Sequence, residues 1–397
     1  MRVLHTCHTY WPHADGVAIV MQRVSEGLAA RGHEVTVATG PAGAPRIEER
    51  SGVRIERFDV RGNEALGYSG DVSGYSQFVA LFPCDVMLNY AAQICTTDLV
   101  FPLLPALACQ KVIAPCGFSG LRDGRYAAYF RQMPAYLRAY NAAVYHSRTY
   151  QDARFAAHNR LGNTIVIPNG ADVADGPHTP GGFKTKYSVR EETVLLSVGR
   201  VEAMKGQDVV LEAFRRSRLR DAALMLVCPD ISRFASGALR TARGALYRPR
   251  WEARAALYEL VERHVPGRAH RLKWILPGEK TVYILAGLPR RDVLAAYGDA
   301  DLFVFGSRVE CSPLVIIEAM ASGTPFVSTP VGNVPELPGG VIVRNAVEMA
   351  TVIDRLAQKG EAWRELSAAG RAAWEKEFTW DHVIDEYERL YQTLVSS

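Results

Sequence analysis

The chain has 397 residues, of which 48% are hydrophobic and 22% are charged, a composition that allows two or three globular domains. Its formal net charge of +4 is too small to predict nucleic-acid binding, and no apolar run is long enough to span a bilayer. Seven cysteines without a C-x-x-C spacing argue against zinc and favour a reducing, cytoplasmic compartment.

The first half of the chain has the alternating pattern of an α/β domain. The strands predicted from apolar runs are Arg2–Thr6, Glu34–Ala38, Asp85–Asn89 and Lys111–Pro115. The helices predicted between them are Val17–Arg31, whose apolar residues fall on one face, and Asp98–Ala108. This order predicts a βαβ unit with Gly16 at the start of its first helix.

Two basic segments have open interpretations. Residues 122–150 interleave arginines with tyrosines. This favours a helix with packed aromatics and solvated arginines over an acceptor-side or membrane-facing surface. Residues 229–280 begin with an arginine-rich stretch. It is either an insertion that touches an anionic acceptor or membrane, or a solvated basic helix.

The second half repeats the α/β pattern after a Pro/Gly-rich linker at residues 174–182. Its predicted strands are Val194–Val198, Ala223–Cys228, Val282–Ala286, Leu302–Phe305 and Phe326–Ser328. Its predicted helices are 208–217, Leu314–Met320, Ala346–Lys359 and Ala362–Lys376. A last helix places Trp380, Val383, Tyr387 and Leu390 on one face, as a docking helix needs.

Residues 301–336 combine the features of a site for a phosphate and a polyol. Glu310 precedes a predicted helix, and Glu318 lies in that helix eight positions later. The helix N-terminus favours phosphate, whereas carboxylates suit the hydroxyls of a sugar. A nucleotide sugar has both parts. Asp299 and Asp301 form a D-x-D at a strand entrance, where we expect capping and predict no metal ion.

Three segments of the chain resemble motifs of a known family. The segment ECSPLVIIEAMASGTPFV is similar to the E-x7-E signature of retaining glycosyltransferases of family 4, and DGVAIVMQRVSEGLAARGHEV and GRVEAMKGQD resemble further motifs of that family. The resemblance implies the GT-B fold, with two Rossmann-like domains facing a central cleft, at 1–173 and 183–377. It also implies that a C-terminal helix at 378–397 packs back on the first domain.

The resemblance implies transfer of a hexosyl group from a UDP- or GDP-sugar to an acceptor hydroxyl, with retained configuration. The implied catalytic residues are Arg200, Lys205 and Glu310, of which the two cations would hold the diphosphate. The other implied donor-binding residues are Gly16, Gly199, Pro289, Arg290, Ser312, Leu314, Val315 and Glu318. The acceptor-side candidates are His13, Asp15 and Cys116, where Cys116 stands in the place of the family's usual histidine. No metal ion and no cofactor besides the donor are expected.

Other functions stay open. A nucleotide-sugar 2-epimerase shares this architecture, and a binding-only relative would account for Cys116. A dinucleotide oxidoreductase is disfavoured because no G-x-G-x-x-G follows the first strand. The acceptor could be a lipid-linked saccharide, a metabolite or a polysaccharide, and the location cytoplasmic or peripheral at the inner face of a membrane.

Overall fold

The computed structural model describes residues 1–173, 180–230, 270–276 and 279–397. The chain divides into two compact α/β units: unit 1 is Met1–Gly170 with Glu377–Ser397, and unit 2 is Ala171–Lys376. Most of the predicted linker and most of the arginine-rich stretch lie outside the described residues. Within those residues, no helix is both long and apolar enough to cross a membrane.

Unit 1 is built on a sheet of mostly parallel strands. Its strands are β1 (Arg2–Cys7), β2 (Glu34–Thr39), β3 (Ile47–Arg50), β4 (Val53–Arg57), β5 (Val60–Asn63), β6 (Gly67–Gly70), β7 (Val86–Tyr90), β8 (Gln110–Ala114), β9 (Ala142–Tyr145) and β10 (Thr164–Val166). The sheet order is β10-β9-β8-β7-β1-β2-β4-β3, in which only β3 runs antiparallel to its neighbour, and β5 and β6 form a separate hairpin. The helices up to residue 170 are α1 (Gly16–Ala30), α2 (Val72–Leu81), α3 (Cys95–Asp98), α4 (Ala127–Ala139) and α5 (Gln151–His158).

One predicted helix of unit 1 is wrong. Residues 98–108 do not form a helix; α3 ends at Asp98 and a 3₁₀ turn follows at Phe101–Leu103. Prolines 102 and 105 explain this, because each lacks the N–H that a continuing helix needs. In the basic segment 122–150, α4 buries Tyr129 and Phe130 and leaves its arginines at the surface, which agrees with the favoured interpretation.

Unit 2 has a second sheet of mostly parallel strands. Its described strands are β11 (Thr193–Val198), β12 (Ala222–Cys228), β13 (His270–Leu276), β14 (Lys280–Ala286), β15 (Leu302–Phe305), β16 (Phe326–Ser328) and β17 (Gly340–Ile342). The order is β13-β14-β12-β11-β15-β16-β17, with β13 antiparallel to β14. Its described helices are α6 (Gly182–Lys186), α7 (Gln207–Arg216), α8 (Arg290–Asp299), α9 (Leu314–Ala321), α10 (Ala346–Leu356) and α11 (Glu361–Ala373).

The D-x-D carboxylates of unit 2 accept hydrogen bonds from the backbone. Asp299 accepts the N–H groups of Gly181 and Phe183, at 2.7 and 2.9 Å, at the start of α6. Asp301 accepts the N–H of Val194 at 2.6 Å and pairs with Lys359. Asp299 therefore caps the start of α6 as expected, whereas Asp301 binds the backbone of β11 and a lysine side chain.

The last helix, α12 (Trp380–Ser396), packs on α1 within unit 1. The four residues predicted to share one face are all buried. His5 on β1 contacts Ser25 of α1 through Nδ1 at 2.8 Å and the hydroxyl of Tyr391 through Nε2 at 3.1 Å. Arg31, which directly follows α1, donates to Glu388 of α12 at 2.7 Å. Polar contacts therefore join α12 both to β1 and to the end of α1.

Each sheet has one position where the chain reverses its direction of strand addition. In unit 1 this position lies between β1 and β7, and in unit 2 it lies between β11 and β15. The loops that leave two such strands open a crevice at the carboxyl edge of the sheet, where ligands of open α/β sheets bind.

Candidate functional site

The loops after β11 and β15 meet at the carboxyl edge of unit 2. Gly206 has a φ of +63°, and a Cβ atom there would lie 1.8 Å from the carbonyl oxygen of Gly306. Only glycine therefore allows this backbone approach. The N–H of Arg308 donates to the carbonyl of Met204 at 2.8 Å, which fixes the two loops against each other.

This contact brings Lys205 and Glu310 together. The ammonium group of Lys205 donates to Oε1 of Glu310 at 2.7 Å, and the hydroxyl of Ser307 donates to the same oxygen at 2.8 Å. The two charged side chains are 23% and 13% exposed, so their pairing is only partly screened by water. A cation and a carboxylate thus lie one hydrogen bond apart at the carboxyl edge of the unit 2 sheet.

The other predicted cation of this loop, Arg200, lies outside that pair. Its side chain is 58% exposed, and its Nη1 lies 3.6 Å from Glu202. Its carbonyl accepts a hydrogen bond from the side chain of Gln207 at 2.6 Å, which fixes the backbone beside Gly199. The guanidinium is on the correct loop for an anion but does not touch Lys205 or Glu310.

Helix α9 begins next to this pair. Its N-cap residue is Pro313, which has no side-chain group that could cap the helix. The hydroxyl oxygen of the preceding residue, Ser312, accepts from the amide of Asn333 at 3.1 Å. The first amides of α9, those of Leu314 and Val315, lie at the positive end of this helix.

Glu318 is buried within α9 and has partners for both of its oxygens. It is 1% exposed, its Oε1 pairs with Arg290, and its Oε2 accepts from the hydroxyl of Tyr297 at 2.8 Å. Burial is the largest single influence and acts to lower the pKa of Arg290, but the charge and the hydrogen bond of Glu318, with smaller contributions from other groups, together raise that pKa above its ordinary value. Burial and the same carboxylate hold the pKa of Tyr297 well above its usual range.

Tyr297 is a site residue that the sequence prediction missed. It lies seven residues after Arg290 on α8, so both residues share one helix face. That spacing was a usable signal once Arg290 and Glu318 had been singled out. Pro289, the N-cap of α8, places Arg290 at the start of this helix.

The carboxyl edge of unit 1 has a different chemistry. Oδ1 of Asp15 accepts the N–H groups of Val17 and Ala18 at 3.1 and 3.2 Å and the hydroxyl of Thr9 at 3.0 Å. A carboxylate therefore already occupies the N-terminus of α1, beside Gly16. His13 lies in the same loop, and its carbonyl accepts from Gln22 at 3.0 Å.

Cys116 follows β8, which is two strands away from β1, so the sheet order does not bring it next to His13 and Asp15. Burial raises the pKa of Cys116 to about 12. Its sulfur lies 3.7 Å from Nε2 of His146, a buried residue that directly follows β9. The same Nε2 lies 3.0 Å from the hydroxyl of Tyr90. The prediction missed His146, although it ends a clear apolar run.

Known proteins resemble this chain in sequence and in structure. The family model described as "Glycosyl transferases group 1" matches residues 253–359, which include Arg290, Glu310 and Glu318. The D-inositol 3-phosphate glycosyltransferase of Corynebacterium aurimucosum is 27% identical over 252 residues, which cover 59% of this chain and 52% of that protein. The chain thus matches about half the length of this relative. Both matches support a glycosyltransferase of the group 1 type.

Solved structures match the chain over its whole length. Sucrose-phosphate synthase from Thermosynechococcus elongatus superimposes with a TM-score of 0.73 at 20% identity, covering 100% of this chain and 99% of that one. The chain has the GT-B fold. HepE of Anabaena in complex with UDP-glucose gives a TM-score of 0.69 at 15% identity, covering 99% and 100%. The predicted GT-B fold is thereby confirmed.

Proposed function

We propose that this GT-B chain is a retaining glycosyltransferase that transfers a hexosyl group from a nucleoside diphosphate sugar to an acceptor hydroxyl. The observation that carries the proposal is the 2.7 Å pair of Lys205 and Glu310 at the carboxyl edge of unit 2. A donor sugar needs a cation for its diphosphate and a hydrogen-bond acceptor for its hydroxyls, and this pair supplies both.

In the proposed reaction the bond between the anomeric carbon and the phosphate oxygen breaks, and a bond to the acceptor oxygen forms on the same face. The acceptor proton passes to an oxygen of the leaving diphosphate. Lys205 and Arg200 stabilise the charge that develops on this diphosphate, and the amides of Leu314 and Val315 contribute in the same sense. Glu310 accepts hydrogen bonds from hydroxyls of the transferred sugar.

Glu318 is proposed to contact the ribose of the donor. Both oxygens of this buried carboxylate already have partners. We therefore expect a ribose hydroxyl to replace or join the Arg290 contact at Oε1, while the 2.8 Å hydrogen bond from Tyr297 to Oε2 stays in place. Glu318→Ala should then weaken donor binding. Unchanged nucleotide-sugar affinity in that variant would count against the ribose assignment.

The first experiment measures melting temperature against a panel of UDP- and GDP-sugars, because a ligand that binds only the folded chain raises it. HepE was solved with UDP-glucose, which makes that donor the first to test. The stabilising donor is then offered with candidate acceptors, and nuclear magnetic resonance of the product reads its anomeric configuration. An inverted product contradicts the proposal, and so does a donor that is consumed without any acceptor, as by an epimerase.

A second candidate function is nucleotide-sugar binding without turnover. The observation behind it is Cys116 itself, which stands where the resembling family has a histidine close to the reacting sugar. Donor binding with no transfer to any acceptor would support this alternative. Restored or increased transfer in Cys116→His would identify the substituted position as the cause.

A further inference from the structure

Two cysteines lie side by side at the amino-terminal edge of the unit 1 sheet. Strand β7 begins at Val86 and its neighbour β8 begins at Gln110, and these two residues are paired. Cys84 lies two residues before β7, and Cys109 lies directly before β8. The N–H of Gln110 donates to the carbonyl of Asp85 at 2.9 Å, so the backbone pairing of the two strands extends to the residues next to both cysteines.

This register makes the two cysteines neighbours on adjacent segments of the chain. For ideal strands about 4.8 Å apart with a rise of about 3.3 Å per residue, two positions one residue out of register have Cα atoms about 6 Å apart. Disulfides span Cα separations of about 4.4–6.8 Å. Both side chains pack against the same hydrophobic cluster and are partly exposed.

The pair has one reactive member. The neighbouring thiol of Cys84 lowers the pKa of Cys109, and the charge of Lys111 acts in the same sense, although burial acts to raise it. Because the thiolate is the nucleophile in thiol chemistry, Cys109 is the more nucleophilic member of the pair. Cys116 differs, because burial raises its pKa to about 12.

We propose that Cys84 and Cys109 are a modification site, a dithiol that peroxide oxidises reversibly to a disulfide. The Cys109 thiolate attacks a peroxide oxygen, the O–O bond breaks, and hydroxide leaves and takes up a proton to become water. The sulfur of Cys84 then attacks the resulting sulfenic acid of Cys109. An S–S bond forms, the S–O bond breaks, and a second water leaves. This proposal is independent of the proposed transferase activity.

The test uses the full chain, fully reduced and then exposed to hydrogen peroxide in small molar excess. Free thiols are blocked by alkylation, and the intact mass and the digested peptides are measured. We expect the chain to lose the mass of two hydrogen atoms, a linked peptide pair that contains Cys84 and Cys109, and complete reversal by dithiothreitol.

Two variants separate the roles of the two sulfurs. Cys84→Ser should prevent the disulfide and leave a sulfenic acid on Cys109 that dimedone traps, whereas Cys109→Ser should remove peroxide reactivity from this edge. Cys311→Ser, a partly exposed cysteine of unit 2, is the matched control and should leave the disulfide yield unchanged. Two free thiols at Cys84 and Cys109 after peroxide, or a disulfide between other cysteines in their place, would overturn the proposal.

Discussion

The carboxyl edges of the two sheets differ in the charge that each one offers to a ligand. In unit 2, the N-cap of α9 is Pro313, which has no capping side-chain group, and Lys205 lies in the neighbouring loop. In unit 1, the carboxylate of Asp15 caps α1. The same βαβ architecture therefore places a lysine beside a helix start in one unit and a carboxylate at a helix start in the other. We expect the first arrangement to favour an anionic ligand and the second to favour neutral hydroxyls.

Replacement of the cation in unit 2 should have the largest effect. Lys205→Met should lower kcat/KM about 1,000-fold, because a preorganised charge on the leaving group is lost. The matched control is Lys359→Met, which removes a lysine paired with Asp301 at the opposite edge of the same sheet. Steady-state kinetics of both variants test the assignment. Equal losses would show that the effect is structural.

Replacement of the carboxylate should act on the sugar and not on the nucleotide. We expect Glu310→Gln to lower kcat/KM about 100-fold and to leave the affinity for the free nucleoside diphosphate of its donor within about twofold. Calorimetric titration with that nucleoside diphosphate and with the donor sugar separates the two effects. Glu212→Gln, which removes a carboxylate paired with Arg215 and Arg216, is the control. A parallel loss of nucleotide affinity would mean that Glu310 acts mainly by holding Lys205.

Acid should destabilise unit 1 through His5. Burial lowers the pKa of His5 from 6.5 to about 3. Because the unfolded chain then binds the proton more readily, stability is lost as the pH falls from about 6.5 towards 3, by about 2 kcal/mol at pH 5. Urea unfolding at pH 7 and pH 5 measures this difference, and His5→Gln should reduce it by that amount. An unchanged pH dependence in the variant would assign the acid sensitivity to other groups.

Loss of one hydroxyl should separate a positioning role from a structural one. Tyr297→Phe removes the donor to Glu318, so the donor KM should rise about 10-fold while kcat stays within about twofold. Tyr283→Phe is closely matched, since its buried hydroxyl donates to Glu191 at 3.0 Å in the same unit. It should lower the melting temperature without a change in KM. A KM that rises equally in both variants would contradict the positioning role.

The smallest effect is expected at the carboxylate of unit 1. Asp15→Asn keeps a good N-cap, so stability should change by less than about 0.5 kcal/mol and the donor KM by less than about twofold. If the donor phosphates instead approach Gly16, removal of this negative charge should lower the donor KM severalfold. Donor titration of the variant thus tests whether unit 1 takes part in anion binding.

Much of the fold was readable from local sequence. The apolar runs at Leu302–Phe305 and Phe326–Ser328 become strands with the same bounds. The ion pair of Lys205 with Glu310 was not readable, since its partners lie 105 positions apart and meet only because β11 and β15 are neighbours. Their separate roles were predicted from the resemblance, and these roles remain predictions.

The failures have local physical reasons. The helix expected at 98–108 ignored two prolines. Tyr297 was not singled out, because its hydroxyl reaches a carboxylate on another helix, 21 positions along the chain. The capping contacts of Asp15 depend on the conformation of the loop before α1, which the spacing of apolar residues does not predict. Burial of Glu318 follows from its position on a helix that is apolar almost all round, a pattern that predicts a core helix and not which side chain gains a polar partner.

The hydrogen bond between His5 and Tyr391 joins residues 386 positions apart and has a consequence for synthesis on the ribosome. Unit 1 needs α12, but residues 171–376 of unit 2 are translated before it. At about 5–20 residues per second, the nascent first unit waits roughly 10 to 40 seconds for its last helix. During that time the face of α1 that α12 will cover is exposed to chaperones. Unit 2, which is continuous in sequence, has no such delay.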